Sequence, residues 1–313
     1  MPETERKPLE SYFDFDRKAL FEKLLDLLAV FRKLCEENDL TWFALGGTML
    51  GAVRHQGFIP WDDDIDLGML RKDYDKLLQL IGEKQDLLPE PYRFLTPLTD
   101  AQYGKGLIRL CNCNTTAISR NNAIFDYNHG IFVDVFPLDA VPDDPSALKK
   151  HRRKMKLASE MLALSSRYPL GKTGAKDLTK SHKIIFWCLY PFYKTGVLSH
   201  KWAFRLLTKT ASAYEAKGQK NVCLSTLSVA GKYTAPLSCY SEFREMPFEN
   251  TTIPVSTAHA FLLENQYGSD YMTPIRQSTL HGDTLYVPDV PYKEFVAEYR
   301  KELIEMSQNR RKK

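Results

Sequence analysis

"GGTMLGAVRHQGFIPWDDDIDLGM" runs from Gly46 to Met69 and carries four aspartates in five positions, Asp62, Asp63, Asp64 and Asp66, just after Pro60-Trp61. Like charges this close repel, and a fold does not need them together. Upstream, "DLTWFALGG" is an aromatic and aliphatic run ended by two glycines, which predicts a buried strand running into a tight turn. Thr48 to Arg54 then predicts a short helix. After the breakers Gly57 and Pro60, "DIDLGML" predicts a second strand. Residues two apart on a strand share a face, so Asp64 and Asp66 project together, with Asp62 in line and Asp63 turned away.

Working outward, Lys18 to Asn38 repeats leucines at three- and four-residue steps and predicts an amphipathic helix, as does Tyr74 to Ile81. "YRFLTP", "KGLIRL" and "TTAIS" are short β-rich pieces. "GIFVDVFPLD", from Gly130, is the strongest predicted strand, and it carries Asp134 among apolar residues. A carboxylate there is costly unless a cation or a hydrogen-bond partner meets it. One such partner is a buried basic residue, Lys105 or Arg109; the other is a metal ion. Further on, "EMPFENTTIPVS" predicts a hairpin turning at Glu249-Asn250. Thr257 to Tyr267 predicts a helix capped by Ser256 and stopped by Gly268, and Tyr292 to Met306 predicts a final helix.

The charge is unevenly placed. Lys149 to Lys209 holds fifteen Lys and Arg against two acids, a net +13, whereas the whole chain is +4, leaving −9 for the rest. The segment reads as helical, broken at "YPLGKTG" and near Pro191, and mixes its cations with Trp187, Tyr190, Phe192, Tyr193 and Trp202. It can be a solvated helical face, a nucleic-acid surface or a contact with an anionic membrane. There is no recognisable nucleic-acid module. Basic helices interleaved with aromatics suit the membrane interface, which is the reading preferred here. The six cysteines form no CxxC and no zinc-finger spacing, pointing to a reducing compartment without structural disulfides. The N-terminal residues lack the apolar core of a signal peptide, and no stretch reaches the ~18 apolar residues of a membrane span. The expected location is cytoplasmic, at the inner face of a membrane.

Paired carboxylates facing one point are relieved by a hard divalent cation, and oxygen-only ligands beside phosphates favour Mg²⁺ or Mn²⁺. Asp64, Asp66 and Asp134 are the expected ligands and catalytic carboxylates. Gly46 and Gly47 end a strand and open a helix, so their backbone amides can cradle an anion. Thr48 adds a hydroxyl, and Arg54 and His55 lie one to two turns on. Each feature alone is commonplace. In this order they match the polymerase-β-type nucleotidyltransferase constellation, an α/β (α+β) core with a mixed sheet, here carrying a basic helical insert.

The stretch "GGTMLGAVRHQGFIPWDDDIDLGMLRKDYDKL" resembles the signature of the LicD family, which includes bacterial phosphocholine transferases and, more distantly, fukutin-type phosphoribitol transferases. "GIFVDVFPLDAVP" resembles its second block and "YGSDYMTPIRQSTLH" its third, looser one. The resemblance implies transfer of a phospho-alcohol, phosphocholine first and phosphoribitol or phosphoglycerol next, from a CDP-linked donor to a hydroxyl of a cell-surface glycan precursor, with release of CMP. It implies Mg²⁺ on Asp64 and Asp66, with Asp134 a third ligand or the base for the acceptor hydroxyl. Arg54, Lys105 and Arg109 are candidates for neutralising the donor's diphosphate. Trp61, Tyr267 and Tyr271 are candidate aromatic faces for a choline, and His281 is a candidate contact to phosphate or acceptor. The acceptor is expected to be lipid-linked. Three parts follow: a catalytic core over 1–145, a basic insert over 146–220, and an α+β closure over 221–313 that completes the site. Two alternatives stand beside this reading: movement of an NMP from an NTP, and a non-catalytic membrane- or RNA-binding protein on the same fold.

Overall fold

The computed structural model describes residues 7–13, 16–84, 86–224, 233–276 and 284–310. Helix α1 (Arg17–Glu37) opens on Asp16, whose side chain accepts the Lys18 backbone N–H, and it buries Leu20, Leu24, Leu27, Leu28, Phe31 and Leu34 along one stripe. That stripe packs on a mixed sheet. Its principal strands are β1 (Phe43–Ala44), β2 (Asp66–Leu70), β3 (Tyr92–Leu95), β4 (Ile108–Asn112) and β6 (Ile131–Val141). Their order across the sheet is β1-β2-β6-β4-β3. Only β2 and β6 run parallel; the other neighbours are antiparallel.

The eleven residues of β6 are all buried, which explains their near-continuous apolar composition. Beyond β4, the strand continues and pairs through Asp139–Val141 with β7 (Asn221–Cys223), which in turn pairs with β8 (Thr234–Pro236). The C-terminal third thus contributes strands to the main sheet. It also supplies β11 (Thr284–Val287), which pairs with β5 (Thr116–Ser119). Helix α3 (Arg71–Glu83) follows β2 directly. Its first residue is pinned to the central strand: Arg71 Nε donates to Asp139 Oδ1 at 2.6 Å, both side chains being buried. Pairing satisfies two charges that would otherwise be costly inside the core.

The basic segment is helical, as its sequence predicts: α4 (Pro145–Ser165), α5 (Lys172–Lys176), α6 (Lys180–Lys194) and α7 (His200–Ala211). The break at 168–171 is present. The break expected near Pro191 is not, since α6 continues to Lys194 with Pro191 inside it. The proline lacks the N–H that would bond the carbonyl of Trp187, but the bonds after it survive, and its carbonyl closes the helix by accepting the Thr195 N–H at 3.0 Å. A hairpin, β9 (Phe243–Phe248) and β10 (Thr251–Ser256), turns at Glu249-Asn250. Helix α8 (His259–Tyr267) ends at Gly268, whose φ is +94°. It begins two residues later than expected and has no side-chain cap; Ser256 Oγ instead accepts the Ala258 N–H just before it. Helix α9 (Tyr292–Arg310) is the last described element.

Candidate active site

Three sheet neighbours place charged residues in one row. Asp66 on β2 is in register with Asp134 on β6, and Asp134 is in register with Arg109 on β4. Partners in register project to the same face of a sheet. Arg109 grips Asp134 with two hydrogen bonds, Nε to Oδ1 at 2.6 Å and Nη2 to Oδ2 at 3.1 Å, and both residues are buried. Its guanidinium stacks 3.5 Å from the Phe132 ring centroid. The pairing between a mid-strand aspartate and a buried arginine, one of the two partners anticipated for Asp134, is therefore present. Each carboxylate oxygen keeps a second lone pair in such a fork, so the pair does not exhaust what Asp134 can bind.

Strand β2 starts later than its sequence predicts. Residues 62–65 lie outside the ladder, and β2 begins at Asp66. The reason is local bonding. The Asp66 N–H donates to Thr48 Oγ1 at 2.8 Å, and the Leu45 N–H donates to the Asp66 carbonyl at 3.0 Å. The Asp134 N–H donates to the Ile65 carbonyl at 3.0 Å. Upstream of that point the chain is outside the ladder, and strict alternation no longer applies. Asp63, which alternation turns away, joins its neighbours instead: one carboxylate oxygen from each of Asp62, Asp63 and Asp64 lies within 4.8 Å of the others. This acidic cluster can bind a metal ion. Arg17, at the start of α1, fixes its first member by donating from Nη1 to the Asp62 carbonyl at 2.9 Å.

Helix α2 (Gly46–His55) begins at the glycines themselves, two residues earlier than expected. No side chain caps it. Gly46 has φ +49°, a conformation that side chains resist. A Cβ added there would lie 3.7 Å from both Asp66 Oδ2 and the Tyr267 hydroxyl. A Cβ on Gly47 would come within 2.9 Å of Asp62 Oδ2. The helix N-terminus, the Asp62–Asp64 cluster, Asp66 and Tyr267 therefore share one locality. A carboxylate there is favoured by the helix dipole.

The other candidates fall as follows. Lys105 sits on the loop before β4, open to solvent yet walled by protein. Burial, then the nearby Arg109 charge, lowers its pKa to about 8, against the opposing pull of Asp134, Asp66 and Asp64. Arg54 is engaged elsewhere: its Nη1 donates to the carbonyls of Tyr271 at 2.7 Å and Thr273 at 3.3 Å, tying α2 to the loop after α8. His55 receives the Arg54 Nε–H on Nδ1 at 3.3 Å and lies edge-on to Trp61. Burial, and then the Arg54 charge, lowers the His55 pKa. Trp61 packs half-buried against the core beside the cluster. Tyr271 is half-buried. His281 lies outside the described residues.

Two tyrosines join the site without any local sequence signal. Tyr286, on β11, is buried; burial and then the charges of Asp63 and Asp64 raise its hydroxyl well above the usual phenol range. Tyr233, just before β8, is raised by burial and then by Asp66. Tyr267 is raised by burial, and further by Tyr233, Asp66, Asp62 and Asp64. The pairing of β11 with β5, the pairing of β8 with β7 and the packing of α8 bring these distant rings to the carboxylates.

The structure thus sets a row of charged residues on a mixed sheet beside an acidic cluster at a glycine-opened helix. Residues 39–175 match LicD/FKTN/FKRP, nucleotidyltransferase domain. The chain is 34% identical over 141 residues to the lipopolysaccharide cholinephosphotransferase LicD of Haemophilus influenzae, covering 43% of this chain and 51% of that protein. An uncharacterized protein of Rickettsia prowazekii is 39% identical over 71 residues, covering 23% of this chain and 26% of that one. The human ribitol 5-phosphate transferase FKRP is 43% identical over 47 residues, covering 15% of this chain and 10% of FKRP. The chain thus spans about half or less of the length of these relatives.

Proposed function

We propose that the protein transfers a phospho-alcohol, phosphocholine before phosphoribitol or phosphoglycerol, from a CDP-linked donor to a hydroxyl of a cell-surface glycan precursor. The observation that carries this is the gathering of Asp62, Asp63 and Asp64 beside Asp66 at the start of α2, inside the segment that matches the family. On this reading the core is polymerase-β-type, spans 1–145, and is flanked by the insert over 146–220 and the closure over 221–313. The acceptor is carried on lipid at the cytoplasmic face of a membrane.

The donor set is oxygen-only, multiply charged and clustered, which fits a hard cation such as Mg²⁺ or Mn²⁺. Asp64 and Asp66 would hold it, with Asp62 and Asp63 alongside and Asp134, fixed by Arg109, as a further carboxylate. When bound, such an ion neutralises charge on the donor's diphosphate and stabilises the displacement at phosphorus. Everything else falls to the chain. Lys105, charged below pH about 8, balances the diphosphate's remaining charge. The amides opening α2 receive a phosphate oxygen. The acceptor oxygen attacks the phosphorus that bears the alcohol, the bond to the bridging oxygen breaks, and CMP departs. The acceptor proton goes to a carboxylate of the row, Asp66 or Asp134. Tyr267 and Trp61 offer aromatic faces for a quaternary ammonium. Arg54 serves by holding the 271–273 backbone in place.

Incubation with CDP-choline, CDP-ribitol and CTP, with analysis of the nucleotide product, tests the proposal. CMP released from a CDP-alcohol in the presence of acceptor supports it. Pyrophosphate released from CTP supports NMP transfer instead. Turnover of none of them leaves a binding protein on the same fold.

A further inference from the structure

Helix α6 is apolar on two opposite sides, and only one of them is used. Phe186 is fully buried in a small cluster with Leu164, Tyr168 and Ala175, and Leu189, Tyr190 and Tyr193 pack against that cluster. At 100° per residue, Ile184, Ile185, Cys188, Pro191 and Phe192 fall on the other side. All five are exposed: Ile184 to 67%, Phe192 to 52% and Ile185 to 44%. Trp187, at the margin of this stripe, is 44% exposed, and Val197 just beyond the helix is 67% exposed. Exposed apolar side chains scattered singly are ordinary, but a continuous stripe along one helix marks an interaction surface.

We propose that this face of α6 docks on an anionic membrane surface, lying in the interface with its apolar stripe inserted among the lipids. Charge selects the occupant. Helix α6 contains Lys180, Lys183 and Lys194 and no acidic residue, within a segment of net charge +13. A second copy related by two-fold symmetry would set this charge against itself. An anionic leaflet complements it. The helix has 15 residues, and no described helix is long and apolar enough to cross a membrane, so the geometry is that of a helix lying in the interface. The inference deepens the proposed function by naming the surface that brings the site to a lipid-borne acceptor, and it rests on that reading only for what the membrane carries.

The test is co-sedimentation of the full chain with vesicles of phosphatidylglycerol and phosphatidylcholine, against vesicles of phosphatidylcholine alone, across a salt series. No donor is present, so failure here leaves the transfer reading untouched. Wild type binds the anionic vesicles, more weakly as salt rises, and Trp fluorescence shifts to the blue on binding. Ile184→Ser with Phe192→Ser lowers the partition coefficient roughly a hundredfold, from two lost apolar insertions. Lys180→Glu with Lys183→Glu and Lys194→Glu abolishes the preference for anionic vesicles. These side chains are exposed or half-buried, and circular dichroism confirms that each variant is folded. The proposal is overturned by wild type that ignores anionic vesicles, or by a folded serine variant that binds like wild type. It is also overturned if the serine variant instead abolishes self-association seen by sedimentation, or if RNA binds this surface and vesicles do not.

Discussion

Replacing Gly47 by alanine separates the site's chemistry from its stability. A Cβ at this position would meet Asp62 Oδ2 at 2.9 Å and its carboxyl carbon at 3.8 Å, and nothing else close. An ordinary carbon–oxygen contact needs about 3.4 Å or more, so the carboxylate must retreat by roughly half an ångström. It can do so cheaply, being the end of a flexible side chain. Helix propensity favours alanine over glycine by about 1 kcal/mol, so the metal-free protein should unfold at an unchanged or slightly higher temperature. Metal ligation, by contrast, tolerates shifts of only about 0.2 Å. We therefore expect Mn²⁺ affinity to fall about 10–100-fold, the range typical when the groups that orient a metal ligand are disturbed. Gly46→Ala should behave oppositely. Its Cβ would make only ordinary 3.7 Å contacts, but its φ of +49° costs a side chain about 1–2 kcal/mol. That variant should lose stability and keep its ion affinity. Calorimetry for stability and Mn²⁺ titration for affinity, run on both variants, read the two effects apart. A folded Gly47→Ala protein with wild-type Mn²⁺ affinity would refute the placement of Asp62 at the ion.

Other expectations follow from buried charges. Arg109→Met leaves the Asp134 carboxylate buried without its fork, and should cost about 3–5 kcal/mol in urea unfolding without added metal. Arg109→Lys should recover only part of that, because an ammonium cannot make both bonds. His129 and His200 are buried and their pKa values are lowered to about 4, chiefly by desolvation. The unfolded chain takes up their protons near pH 6.5, while the folded one resists until about pH 4. Their contribution to stability is therefore complete above pH 6.5 and drains away as pH falls towards 4, at about 1.4 kcal/mol per pH unit for each histidine. His200 also ties α7 to the core through its ring, to the Tyr103 carbonyl at 3.1 Å and to Ser165 Oγ at 2.7 Å. His200→Gln should flatten the acid slope of the unfolding curve by about half; an unchanged slope would remove His200 from the account.

Much of the core was legible in residue order. The leucine spacing of α1, the apolar run of β6 and the turn at Glu249-Asn250 all lie where periodicity and turn chemistry put them. The site was legible as a set of residues and less so as geometry. Period-two reasoning pairs Asp64 with Asp66, but Thr48, eighteen positions upstream, takes the Asp66 N–H and helps end the ladder there. No local pattern announces that bond. Arg54, read as a phosphate contact from its proximity to the glycines, turns to carbonyls more than 200 residues away. Tyr286 and Tyr233 reach the carboxylates only through long-range pairing and packing, which a single sequence does not encode in any short motif. For α6, composition revealed the charge and the aromatics, while the side left uncovered depended on how its other face packs.

The most direct test is a Mn²⁺ titration followed by electron paramagnetic resonance, comparing wild type with Asp64→Asn in the presence of CDP-choline. The account predicts that wild type removes the free-ion signal, that the donor tightens this binding, and that Asp64→Asn, folded as judged by its melting curve, loses both effects. A folded Asp64→Asn protein that binds Mn²⁺ and donor as wild type does would contradict it.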